Sequence, residues 1–244
     1  MSIVQTIKTF LSGNNINIPT NKPAFDDSDF DVKAYMAPFE ASLAEKFTNV
    51  EIDGKKLSEH YGNFTNFICR QNFNEFLRED VLPFREPESK YLEFLNTDHW
   101  KEKHPYNFPG PFYVGQSDSC GTGIGEAPNN VMNDFHACDY IFRQPTNYYD
   151  LLCVLDAAAV EVFSSYSSNG NECWTYEGCK KWWNDREYLL NDLTNDEVVK
   201  MNNGRAHLYI DYLKGEAEMD LRRYCYFLEN GKLPMDKSLT LPEL

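Results

Sequence analysis

The residues that come nearest to a catalytic constellation are Asp118-Ser119-Cys120-Gly121-Thr122-Gly123. A cysteine among small residues leaves neighbouring backbone N–H groups free to stabilise an oxyanion. His136 or His207 as base, oriented by Asp118 or Asp211, would complete a nucleophile–base relay. Forming the thiolate needs an electropositive setting, however, and no Lys or Arg lies between Lys103 and Arg143. A glycine-rich turn carrying a buried free cysteine is therefore the first reading. A cysteine-dependent hydrolase or transferase using Cys120, His136 and Asp118 is the alternative.

Other chemistry-bearing patterns fail on spacing. Asp27, Asp29 and Asp31 alternate as in a calcium loop, but the sixth and twelfth positions are Val32 and Pro38 instead of glycine and glutamate. Gly115-Gln116-Ser117-Asp118-Ser119 lacks the final glycine of a nucleophile elbow. Residues 121–125 have the glycine content of a phosphate loop, yet no lysine follows, and Pro128 stands where a helix should run. The five histidines form no i, i+4 pair. His207 and Asp211 are i, i+4 neighbours, read as a surface pair. Cys69, Cys120, Cys138, Cys153, Cys173, Cys179 and Cys225 are odd in number, contain no Cys-x-x-Cys pair and lack zinc-knuckle spacing. No metal and no cofactor is expected.

Composition narrows the partners. Against 23 Lys and Arg stand 38 Asp and Glu, a net charge of −15 over 244 residues. Phosphate backbones and anionic membrane surfaces call for surplus cations, so neither nucleic acid nor membrane is an expected partner. The N-terminal apolar residues Ile3, Val4, Ile7, Phe10 and Leu11 fall at helical spacing, unlike the continuous core of a signal peptide. The expected setting is cytoplasmic.

The elements that must position these residues read as α+β, predominantly α-helical, in one domain. A helical N-terminal part covers about 1–96, with a polar break at 12–31 and helices at 37–47 and 66–81, the last ended by Pro83 and Pro87. A proline- and glycine-rich segment at 97–145 holds strand-like runs at 112–114 and 140–143, enough for a small hairpin or sheet. The C-terminal part, 146–231, reads as a helix capped by Thr146 and running to Phe163 and a second at 174–190. A third is opened by a Thr194/Glu197 capping box and runs to Lys214, and a last one at 216–229 is closed by Asn230-Gly231.

Aromatic density and charge point to recognition. The chain has 17 Phe, 15 Tyr and 4 Trp, and Tyr and Trp supply rigid interface area with a polar tip. Residues 25–60 carry nine acids against four lysines, a net of −5, and residues 182–229 ten acids against six bases, a net of −4. Such a surface steers a cationic partner. The expectation is an acidic, non-enzymatic binding protein that docks and inhibits a basic protein, such as a toxin or enzyme, in the manner of an immunity protein. Asp211, Glu216, Glu218 and Asp220 are the expected contacts, with Trp182, Trp183 and Tyr212 as anchors.

Overall fold

The computed structural model describes residues 32–85, 98–234 and 240–244. The N-terminal helix, the polar break with Asp27, Asp29 and Asp31, and Pro87 lie outside them. The chain divides into two compact units, 1–49 and 50–244. The described part of the first belongs to helix α1, Val32–Tyr61, which is longer than the expected 37–47 and includes Pro38.

The second unit is predominantly helical α+β. It begins with the end of α1, followed by α2 (Phe64–Ile68), α3 (Phe73–Phe76), a π-helical turn (Leu77–Val81) and α4 (Leu82–Arg85). The helix expected over 66–81 is therefore broken. Asn63 caps α2 by accepting the Asn66 N–H. At the break, the Asn171 side-chain amide donates to the carbonyls of Ile68 and Arg70, at 3.0 and 2.8 Å. Pro83 does not end the second piece either. The wide turn before it closes with the Leu82 N–H on the Leu77 carbonyl, and the chain stays helical to Arg85.

The middle of the chain holds β1 (Tyr113–Val114), a helical turn α5 (Gly123–Glu126), β2 (Val131–Asn133) and β3 (Asp139–Ile141). β2 and β3 form a hairpin in the segment where a small hairpin or sheet was expected, with Met132 opposite Tyr140, but β2 was not one of the expected strand runs. β1 instead pairs antiparallel with β4 (Tyr166–Ser167), which lies beyond the proline-rich segment.

Then come α6 (Tyr148–Val160), α7 (Gly170–Cys173), α8 (Tyr176–Asn184), α9 (Arg186–Asp192), α10 (Asp196–Met201), α11 (Ala206–Lys214) and α12 (Ala217–Asn230). Asn147, not Thr146, caps α6, because its side chain accepts the Asp150 N–H while Asp150 accepts the N–H and hydroxyl of Thr146. Likewise Asn195 caps α10, and the Thr194 hydroxyl turns back to the Asn191 carbonyl. The region expected as one helix to Lys214 is two. The expected stop after Asn230 holds: Gly231 has φ 67°, and its N–H reaches the Phe227 carbonyl.

Two hydrophobic cores flank the middle segment. One gathers Leu57, Phe67, Phe73, Leu77 and α6. The other gathers α8 to α12 around Tyr209, Leu193 and Phe227. Because side chains alternate along a strand, the β2–β3 hairpin feeds both. Val131 and Ile141 enter the first core, while Met132 and Tyr140 enter the second.

Backbone buried on both faces has no water to bond to, and strands of two or three residues satisfy little of it. Side-chain amides do the rest. Asn107, 1% exposed, accepts the N–H of Val114 at 3.1 Å and of Ile141 at 2.9 Å, and donates to the carbonyls of His104 and Val114. That uses the amide's full capacity and joins β1 to β3. Gln144 clamps Phe108 and Phe112, and Asn202 brackets both backbone groups of Asn133. Asn107→Ala should leave two buried N–H groups orphaned and lower stability by about 2–4 kcal/mol. Urea unfolding checks this, and a loss under about 1 kcal/mol would sink the clamp argument.

Candidate functional site

Three loops meet at Ser117 and Asp118, both buried. Asp118 accepts the Cys120 N–H at 2.8 Å and the Val162 N–H at 3.2 Å. Its own N–H donates to Glu161, whose other oxygen accepts the Ser165 N–H at 2.8 Å. The Ser117 hydroxyl accepts the Asp139 N–H at 2.7 Å. In the β2–β3 loop, Asp134 accepts the N–H groups of His136 and Cys138. So the carboxylates of Asp118, Asp134 and Glu161 tie the loops through backbone donors.

These loops display large apolar side chains to solvent. Phe135 is 47% exposed, Val162 70% and Phe163 66%. Ala137 (φ 63°) and Ser164 (φ 53°) take the left-handed conformation that non-glycine residues seldom adopt. Strain of this kind persists where the surroundings over-determine the backbone. Gly123 has a packing role instead: a Cβ there would collide with the Asp139 carboxylate and the Tyr166 hydroxyl.

The electrostatics run against nucleophilic chemistry at Cys120. The thiol is exposed, and the neighbouring Asp118 carboxylate pushes its pKa up. His136 packs its ring on Phe135, with centroids 3.7 Å apart. Among the described residues no hydrogen bond joins the His136 ring to Cys120 or Asp118. Asp118 is engaged with backbone N–H groups instead. Burial pushes Asp139 up to about 6, with repulsion from Asp118 and Glu161 adding to it, against the opposing bonds from Tyr166 and Asn133. Among the described residues no group of three or more metal-ligating side chains is placed to hold an ion.

The expected contacts on α11 and α12 fare differently. Tyr212 and Trp183, 7% and 6% exposed, are core residues, so they are not surface anchors. The Tyr212 hydroxyl donates to Asp220, and the Arg143 guanidinium lies over its ring. Three of the four acids meet arginines of the same surface: Glu216 with Arg143 at 2.8 Å, Glu218 with Arg222 at 3.5 Å and Asp220 with Arg223 at 3.6 Å. Asp211 stays exposed. Trp182 donates its indole N–H to the Pro105 carbonyl and lines a cavity.

A plainer signal was available in the chain. Residues 104–179 carry nine acids against the single cation Arg143, a net of −8. That stretch supplies all three loops. Counting charge toward the two ends passes over it.

No protein-family model, curated protein or solved structure matches the chain.

The raised Asp139 pKa sets a sign for stability against pH. A carboxyl that is harder to ionise in the folded chain contributes stability below the unfolded value, near 3.8, and loses it as pH rises through about 6. Relative to Asp139→Asn, the parent chain should therefore gain stability as pH falls through that window. Paired denaturation curves test this, and a constant difference between the two proteins would contradict it.

Proposed function

We propose that this chain is a non-catalytic binding protein that docks a basic protein partner, in the manner of an inhibitor that covers a site built for anionic substrates. The carrying observation is the loop cluster: Phe135, Val162 and Phe163 stand in solvent on backbone held by buried carboxylates. Apolar anchors desolvated at the centre of an interface carry most of its affinity. Loops fixed before binding lose less entropy when they dock. The net charge of −8 on residues 104–179 supplies the attraction that steers a cationic partner.

On this reading the docking face centres on the Ser117–Asp118 hub instead of α11 and α12, where arginines already take up much of the acidic charge. A reducing cytoplasmic setting belongs to the same proposal and suits seven free cysteines. Among the described residues no helix is long and apolar enough to cross a membrane. Cys120 then acts through its backbone position, and its thiol takes no part.

A photo-crosslinking phenylalanine analogue at position 163, expressed in the native host, tests the face directly. The expected product is a stoichiometric adduct with a basic protein. With that purified partner, Phe163→Ala should weaken binding at least about tenfold. Met219→Ala, an exposed control on α12, should leave binding unchanged. The association rate should also fall as salt is raised. An acidic partner, or affinity indifferent to both Val162→Ala and Phe163→Ala, would refute the assignment.

A further inference from the structure

A cavity of about 590 Å³ opens between the Trp100–Tyr106 stretch and helices α7 to α9. It is independent of the loop cluster. Close-packed interiors leave few voids larger than a water molecule, whereas ligand sites are commonly about 300–1,000 Å³. The walls are aromatic: Trp100, Tyr106, Trp174, Trp182 and Tyr188. Several of these rings are held in place. Trp100 and Trp174 meet edge to face at 5.0 Å, the Trp182 indole is anchored on Pro105, and the Tyr106 hydroxyl is bonded to Asp192.

The charge of this cavity opposes that of the molecule. Lys103, Lys181 and Arg186 line it against one acid, Asp185, in a chain whose net charge is −15. None of the three cations has an ion-pair partner among the described residues. The Lys103 ammonium lies 4.8 Å from the Trp100 ring centre and 5.1 Å from that of Trp174. Burial, together with repulsion from Lys181, makes it easier to deprotonate than an exposed lysine. Arg186 lies 4.1 Å over Trp183 and donates to its carbonyl. Trp174, 6% exposed, fixes the inner wall of the cavity.

We infer that this cavity binds an aromatic anion, with a planar ring held among the tryptophan and tyrosine faces and its carboxylate or phosphate set against Lys103 and Lys181. The ring gains stacking and apolar burial. The anion relieves the repulsion between the two ammonium groups and gains charge-assisted hydrogen bonds. A neutral aromatic would gain only the first, and a cation would meet three like charges.

The test uses the full chain and three probes: 2-naphthoate, 1-naphthyl phosphate and the uncharged 2-naphthylmethanol. Binding is followed by tryptophan fluorescence and calorimetry. Both anions should bind saturably and at least about tenfold more tightly than the alcohol. Their order then identifies the preferred anionic group. Lys103→Gln should remove most of that preference while leaving the alcohol's affinity in place, and near-UV circular dichroism shows that the variant is folded. Lys181→Gln, at an exposed position, should act in the same direction without touching the packing. Trp182→Ala should weaken all three probes together. No saturable binding of either anion would overturn the inference. So would equal affinity for anion and alcohol, or an anion affinity unchanged in both lysine variants.

Discussion

The side chain of Asn107 makes four hydrogen bonds to backbone groups in a position 1% exposed, and the architecture of the middle of this protein depends on that arrangement. A segment rich in proline and glycine forms little ladder, yet here it is the wall between two hydrophobic cores. Burial removes water as an alternative partner, so every unpaired N–H would be destabilising. Primary amides fit this role because one group both donates and accepts, and it carries no charge to desolvate. Asn107, Gln144, Asn171 and Asn202 each bond backbone groups that regular structure would otherwise have satisfied.

Carboxylates extend the same device toward the surface. Asp118, Asp134 and Glu161 accept N–H groups from the loops around Ser117. The acids that shape these loops also make the region strongly negative. That combination explains why an exposed cysteine in a glycine-rich turn is held in its less reactive form: the Asp118 carboxylate that fixes its backbone also disfavours its thiolate. The aromatic cavity shows the opposite polarity, with three cations gathered against tryptophan and tyrosine faces.

Much of the fold was legible where the signal is local. The strand at 139–141, the helix after residue 146 and the stop at Gly231 follow from short-range patterning and turn chemistry, whereas the partner strand at 131–133 did not stand out. Boundaries shifted where two cap formers stood side by side. At 146–147 and at 194–195 the asparagine took the cap and the threonine turned to another bond. The break between α2 and α3 was not legible, because the amide that stabilises it, on Asn171, is about a hundred residues away in sequence. Tyr212 and Trp183 were misread as surface, and the arginine pairing of the nearby acids was missed, for a related reason. Charge counts do not show that Arg143 reaches Glu216, and an aromatic at helical spacing is read equally well as core or as surface. Val162 and Phe163 read as the end of the helix after residue 146, but α6 stops at Val160 and both lie beyond it; Phe135, on the β2–β3 loop, gave no periodic signal.

The central claim is that buried side-chain acceptors fix these loops before any partner arrives. Amide hydrogen exchange of the free protein tests it most directly, at the N–H groups of Asp118, Asp139 and Ser165. Their acceptors are Glu161, Ser117 and Glu161 in turn. The account predicts exchange as slow as that of the buried turns of α6. Exchange at these three positions at the rate of an unstructured chain, with α6 still protected, would contradict it.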